Sequence, residues 1–134
     1  MKIEDFSRIG NQFFRFTYSL EDIWYSSGIF FDHDCSDEHF VAVFPLVVEL
    51  LEWIKTHVAD IRAQSMEKLP DDADLGIFSS CEIVSFSLSE KNGVLLAQIN
   101  YGSTDGARYA CEVGTYLISI IQDKKVCSVQ LNTA

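Results

Sequence analysis

The densest group of side chains that could do chemistry lies in residues 32–39, which read Asp-His-Asp-Cys-Ser-Asp-Glu-His. Imidazole, thiolate and carboxylate groups bind zinc in proteins, and carboxylates also bind calcium. An EF-hand calcium loop needs a central glycine and a glutamate at position twelve, but this run has no glycine and position twelve is Val43. A zinc site needs a second pair of His or Cys, and the only histidine beyond the run is the lone His57. The spacing therefore predicts no metal site.

A cysteine nucleophile is the second chemistry that this run suggests, because Cys35 lies near His33 and His39 in sequence. A reactive thiolate needs a base or a positive charge beside it, and the acids around Cys35 are expected to raise the pKa of its thiol. The chain also has no glycine-rich phosphate loop, nucleophile elbow or HExxH motif. We therefore predict no catalytic residue and no cofactor.

Negative charge is concentrated in one part of the chain. The net charge is -10, and residues 16–54 contain eight Asp or Glu and no Lys or Arg. Such a field repels nucleic-acid phosphates and anionic membrane surfaces, so neither is expected as a partner. It favours a basic protein partner. A charged face that only keeps the protein soluble is the alternative.

Residues 32–38, here called the acidic edge, are the predicted centre of a docking surface. Aromatic residues near acids are expected to anchor the partner, and a second acidic run follows residue 70. The predicted partner-binding residues are Asp32, Asp34, Asp37, Glu38, Trp24, Tyr25, Asp71, Asp72 and Asp74. The alternative for Trp24 and Tyr25 is that they pack in the sheet. The alternative for residues 71–74 is a solvated loop without a partner.

The helices and strands that must position these residues are those of an α+β fold. The sequence predicts one domain, residues 1–134. Apolar and polar residues alternate over 12–20, which predicts a strand, and a second strand is expected within 22–31. Gly28 interrupts this second pattern, so we expect a bulge or a break there.

A long helix is predicted over about 37–65. Ser36 precedes two acids, which is typical of a capped helix start, and apolar residues then recur every three or four positions. Pro45 lies within this stripe, so two alternatives stay open: Pro45 kinks one long helix, or a strand precedes Pro45 and the helix begins there.

The remaining sequence predicts a hairpin around Asn92-Gly93, with strands on both sides of this turn. Residues 106–123 show two helical faces and predict a second helix, although their many β-branched residues leave a strand as the alternative. A closing strand is expected over 126–131. The predicted order is ββαββαβ, with an antiparallel or mixed sheet packed by the two helices.

The N-terminus lacks the basic start and apolar run of a signal peptide, and no apolar stretch is long enough to span a membrane. The four cysteines form no close pair. We therefore expect a cytoplasmic protein with reduced, mostly buried thiols.

In its size, its acidic run from Asp32 to Glu38 and its many aromatic residues, the chain resembles the bacterial immunity proteins, which neutralise toxins delivered by neighbouring cells. The aromatic residues that contribute to the resemblance are Phe14, Phe16, Tyr18, Trp24 and Tyr25. The resemblance implies that the acidic surface binds a toxin domain, often a basic nuclease, and blocks its active site without performing chemistry.

The alternative from a different class is a small-molecule-binding or enzymatic α+β domain. Its pocket would lie between the sheet and the long helix, with His33, His39 or His57 as the titrating group.

Overall fold

The computed structural model describes residues 1–72, 79, 81–102 and 117–131. The strands are β1 (Ser7–Ile9), β2 (Phe13–Leu20), β3 (Ile23–Phe31), β4 (Glu82–Lys91), β5 (Val94–Gly102), β6 (Leu117–Gln122) and β7 (Lys125–Leu131), and the helices are α1 (Asp37–Thr56) and α2 (Val58–Glu67). The fold is α+β, with a seven-stranded mixed sheet in the order β1 to β7. The chain divides into two compact units, Met1–Val58 with Ser87–Ala97 and Ala59–Phe86 with Gln98–Ala134.

In the first unit, β2 and β3 form an antiparallel hairpin in which Tyr18 lies opposite Tyr25. Alternate side chains of both strands are buried, as the period-two pattern of the sequence predicts. The turn between the strands consists of Glu21 and Asp22, both with positive φ, 53° and 63°. Positive φ at both central residues is the geometry of a tight two-residue hairpin turn.

Strand β3 runs through Gly28 without interruption, so the predicted bulge or break is wrong. The reason for the glycine is the ring of Phe13, since a Cβ at Gly28 would lie only 2.2 Å from Phe13 Cε2. This ring also stacks on Phe30, with 4.5 Å between the ring centroids. The glycine therefore makes room for an aromatic side chain from the neighbouring strand.

Helix α1 begins where the sequence predicts. Ser36 is the N-cap, and its side chain accepts a hydrogen bond from the backbone N–H of His39 at 3.1 Å. The helix packs on β2 through Phe40, whose ring stacks on Phe14 at 3.8 Å. The buried residues of the helix are Phe40, Val43, Val47, Leu51 and Ile54.

The predicted single helix over 37–65 is wrong, because α1 ends at Thr56 and α2 begins at Val58. Pro45 lies inside α1, so the helix does not begin there either. The break comes at His57, whose backbone N–H donates to Ile54 O and whose Nδ1 donates to Trp53 O at 2.8 Å. His57 thus satisfies carbonyl groups that the end of a helix leaves free.

In the second unit, Ser65 of α2 shares a hydrogen bond with Ser119 of β6 at 2.6 Å. The predicted helix over 106–123 is wrong at its C-terminal end, because residues 117–122 form β6 and pair with β7. Residues 106–116 lie outside the described residues. The closing strand is confirmed within β7, and the predicted turn at Asn92-Gly93 joins β4 and β5.

The predicted α+β class and mixed sheet are confirmed, whereas the order of elements differs from ββαββαβ. Strand β1 was not predicted, the crossover between β3 and β4 contains two helices, and β6 is a strand. Within the described residues, neither helix is long and apolar enough to cross a membrane.

A pair of leucines on α1 tests the packing of this helix. Leu51 is fully buried, whereas Leu46 is 56% exposed. We expect Leu51→Ala to lower the free energy of unfolding by about 2–5 kcal/mol, because it leaves a cavity in the core. The matched variant Leu46→Ala should change it by about 0.5 kcal/mol or less. Urea unfolding curves measure both, and equal losses would contradict this placement of α1.

Candidate functional site

The candidate site lies where β3 and β4 end beside each other. The two strands pair in parallel, with Phe31 opposite Glu90. Beyond the last pair, the backbone N–H of Asp32 donates to Glu90 O at 3.2 Å, and the N–H of Asn92 donates to Asp32 Oδ2 at 2.9 Å. The carboxyl ends of parallel strands meet at one edge of a sheet, which is a common position for binding sites in α/β folds.

Three ligand-type side chains meet at this edge, here called the His–Glu cluster. His33 comes from the loop after β3, His39 from the first turn of α1 and Glu90 from the end of β4. His33 Nε2 lies 3.1 Å from Glu90 Oε1, and His39 Nε2 lies 2.9 Å from the same oxygen. One ligand atom from each residue lies within 4.8 Å of the others.

The members of the cluster differ in exposure. The side chain of Glu90 is only 5% exposed, whereas those of His33 and His39 are 43% and 37% exposed. A buried carboxylate needs compensating partners, which the two imidazoles provide here. The exposed parts of the rings open the cluster to solvent.

The orientation of His33 is set by its second ring nitrogen. Nδ1 lies 2.9 Å from the backbone oxygen of Asp34. A carbonyl oxygen can only accept, so Nδ1–H is the donor. This hydrogen bond, followed by the one to Glu90, raises the pKa of His33 against the opposing effect of desolvation. The carboxylate of Asp32, with Oδ1 3.9 Å from His33 Nε2, acts in the same direction.

Reasoning from spacing singled out His33 and His39 but missed Glu90, which lies more than fifty residues further along the chain. One signal could have found it. Phe86 and Leu88 occupy inward positions of β4, and Glu90 is the next residue in the same phase. A carboxylate at a core position of a strand calls for buried partners.

The predicted docking residues of the acidic edge are all exposed, namely Asp32, Asp34, Asp37 and Glu38. Asp37 forms a salt bridge with Arg8 at 2.7 Å. Arg8 also donates to the backbone oxygen of Cys35 at 2.7 Å, which holds the loop against β1. These four acids therefore lie in the loop after β3 and in the first turn of α1, and Arg8 holds this segment in place.

The other predicted docking residues lie elsewhere. Trp24 is 71% exposed at the start of β3, about 26 Å from the acidic edge at the usual rise of a strand. Tyr25 is buried and packs in the sheet, which was the alternative interpretation. Asp71 and Asp72 are exposed after α2 in the second unit, and Asp74 lies outside the described residues.

A groove of about 550 Å³ lies beside Trp24. Its lining residues are Met1, Asp5, Thr17, Tyr18, Ser19, Trp24, Glu52 and Lys55. Within it, the Tyr18 hydroxyl donates to Glu52 Oε1 at 3.2 Å, and burial together with this carboxylate raises the pKa of Tyr18 to about 12. The lining includes none of the three histidines that the small-molecule alternative assigned to a pocket.

Cys35 lies inside the acidic edge but is buried. Burial is the main cause that raises the pKa of its thiol; nearby Arg8 opposes it, and Glu90 and Asp37 add to it. The thiol pKa is raised, as the acids around Cys35 led us to expect from the sequence, but burial contributes more to this rise than the acids do. A protonated, buried thiol is a poor nucleophile.

Comparisons of the chain with protein-family models, with curated proteins and with solved structures found no match in any of the three. The function must therefore be argued from the geometry of the chain itself.

A comparison of two cysteines tests the conclusion that the Cys35 thiol is unreactive. Cys35 is buried with a raised pKa, whereas Cys127 of β7 is exposed. We expect iodoacetamide to modify Cys35 at least about tenfold more slowly than Cys127 at neutral pH, because both access and thiolate fraction are reduced. Peptide mass spectrometry over a time course measures the two rates. If Cys35 is modified faster than Cys127, its thiol is reactive and the hypothesis of a cysteine nucleophile is supported.

Proposed function

We propose that the chain is a non-catalytic inhibitor that binds a basic bacterial toxin domain through its acidic surface, in the manner of an immunity protein. One observation carries the proposal, namely that every acid of the stretch without bases is exposed. These acids are Glu21, Asp22, Asp32, Asp34, Asp37, Glu38, Glu49 and Glu52. Exposed charge of one sign steers an oppositely charged partner and disfavours like-charged ones.

Part of this charge has no salt-bridge partner among the residues that the structure describes. Among the described residues, no Lys or Arg side chain forms a salt bridge with Glu21, Asp22 or Glu38. Asp37, by contrast, is paired with Arg8. Glu21 and Asp22 lie just before β3, and Glu38 lies in the first turn of α1. A basic surface that covers both places would gain charge pairs at each.

The turn between β2 and β3 offers an anchor for such a partner. Trp24 is 71% exposed, more than any other large hydrophobic residue that the structure describes, and Ile23 before it is 47% exposed. Residues 21–24, here called the hairpin tip, therefore combine two acids with two apolar side chains. Tryptophan is enriched among the residues that dominate binding energy, because it buries a large area with few rotatable bonds.

The hairpin tip and the acidic edge fit on one interface of ordinary size. A typical interface covers about 800 Å² on each partner, which corresponds to a patch roughly 30 Å across. That width matches the distance of about 26 Å along β3. We assign the anchoring contact to the hairpin tip and electrostatic steering to both groups of acids.

The first test concerns electrostatic steering, and it uses a toxin domain that the immunity proposal expects a neighbouring gene to encode. We expect the double variant Asp34→Asn/Glu38→Gln to lower the association rate constant about threefold to tenfold at low salt, and less at high salt. Stopped-flow binding measures these rates. The control Asp60→Asn/Glu67→Gln removes two exposed acids of α2, outside the acidic stretch. Equal effects of the two variants, or no salt dependence, would contradict the steering role.

The second test concerns the anchor. We expect Trp24→Ala to weaken the complex about 30-fold or more, mainly through faster dissociation, as for a large aromatic side chain that anchors an interface. Leu46→Ala, which truncates a similarly exposed side chain on α1, should change the affinity less than about threefold. Surface plasmon resonance measures both. If the neighbouring gene encodes no toxin, or its product is not inhibited, the immunity function itself is wrong.

A further inference from the structure

We propose that His33, His39 and Glu90 form a binding site for a divalent transition-metal ion, with zinc as the preferred ion and one coordination position open to solvent. This inference concerns the protein alone and does not rest on the proposed toxin partner. It combines the distances, the donor types and the orientation of the three side chains.

The distances suit a small ion. Zinc binds imidazole nitrogen and carboxylate oxygen at about 2.0–2.2 Å, so two ligands of a tetrahedral site lie roughly 3.3 Å apart. In the His–Glu cluster, the two imidazole Nε2 atoms lie 3.1 Å and 2.9 Å from Glu90 Oε1. All three ligand atoms lie within 4.8 Å of one another, so small side-chain rotations would bring them around one ion.

The donor set selects the class of metal. Two imidazoles and one carboxylate suit zinc and its neighbours among the first-row transition metals, whereas calcium and magnesium prefer oxygen ligands. Three protein ligands leave the fourth position of a tetrahedral ion free, which is the arrangement of zinc sites that bind water or a substrate group. The exposed edges of His33 and His39 place that position toward solvent.

The hydrogen bonds around His33 determine which of its ring nitrogens could bind a metal. Its Nδ1–H donates to Asp34 O. The other nitrogen, Nε2, lies 3.1 Å from Glu90 Oε1. It donates to this oxygen when it carries a proton, and a metal ion can replace that proton between the same two atoms. Donation of the second ring N–H to a backbone carbonyl is also usual for histidines that bind metals.

The burial of Glu90 also favours a cation at this site. Glu90 is the one member of the cluster whose side chain is almost wholly buried, and an ionised carboxylate is expensive in that position without strong compensation. A divalent ion bound by the three side chains would add to the compensation that the two imidazoles provide. The competing explanation is a hydrogen-bonded network that binds protons only, and the experiment below separates the two.

The experiment titrates the purified chain with zinc chloride in an isothermal calorimeter, after removal of metals with EDTA and exchange into chelator-free buffer. We expect one equivalent of zinc to bind with a dissociation constant below about 10 μM, and magnesium chloride to give no heat of binding. Cobalt(II) in place of zinc should give the visible absorption of a four-coordinate ion.

Three variants locate the site. His33→Ala and His39→Ala remove exposed ligands, so they should weaken zinc binding at least tenfold while circular dichroism stays unchanged. Glu90→Gln should do the same, but its buried position makes the histidine variants the safer test. His57→Ala removes the remaining histidine and should bind zinc like the natural chain. Absence of zinc binding, or binding that His33→Ala and His39→Ala leave unchanged, overturns the proposal in favour of the proton-binding network.

Discussion

Parallel pairing of β3 with β4 determines the arrangement of the first unit. A parallel pair cannot be joined by a tight turn, so the chain must cross over through a long segment, here α1 and α2. Both strands end at the same edge, and α1 begins there as well. A loop, a helix start and a strand end therefore converge, which places Glu90 beside two histidines that are distant from it in sequence.

The N-terminal segment holds this edge in shape. The guanidinium of Arg8 binds the Asp37 carboxylate and the Cys35 carbonyl, and Gln12 donates to Asp34 at 3.3 Å. Asp37 also lies in the first turn of α1, where the helix dipole favours negative charge. The acids are therefore held before any partner arrives, so less conformational entropy is lost on binding.

Local patterns in the sequence were sufficient for the features that depend on neighbouring residues, such as the alternating strands, the Ser36 cap and the Asn92-Gly93 turn. They were not sufficient for features that depend on contacts between residues far apart in the sequence. The helix breaks at His57 because that side chain caps it, and residues 117–122 form a strand because β7 pairs with them. Glu90 joined the site only through the pairing of β3 with β4, which no spacing within one segment reveals.

The first unit is built from two separated stretches, Met1–Val58 and Ser87–Ala97. Ribosomes add about 5–20 residues per second, so the roughly forty residues between Val58 and Ala97 take seconds to appear. Until then, one edge of β3 lacks its partner, and unpaired strand edges promote aggregation. The eight acids belong to the stretch that is synthesised first. Repulsion between the acids of neighbouring nascent chains would therefore keep the unpaired edge of β3 from aggregating during synthesis.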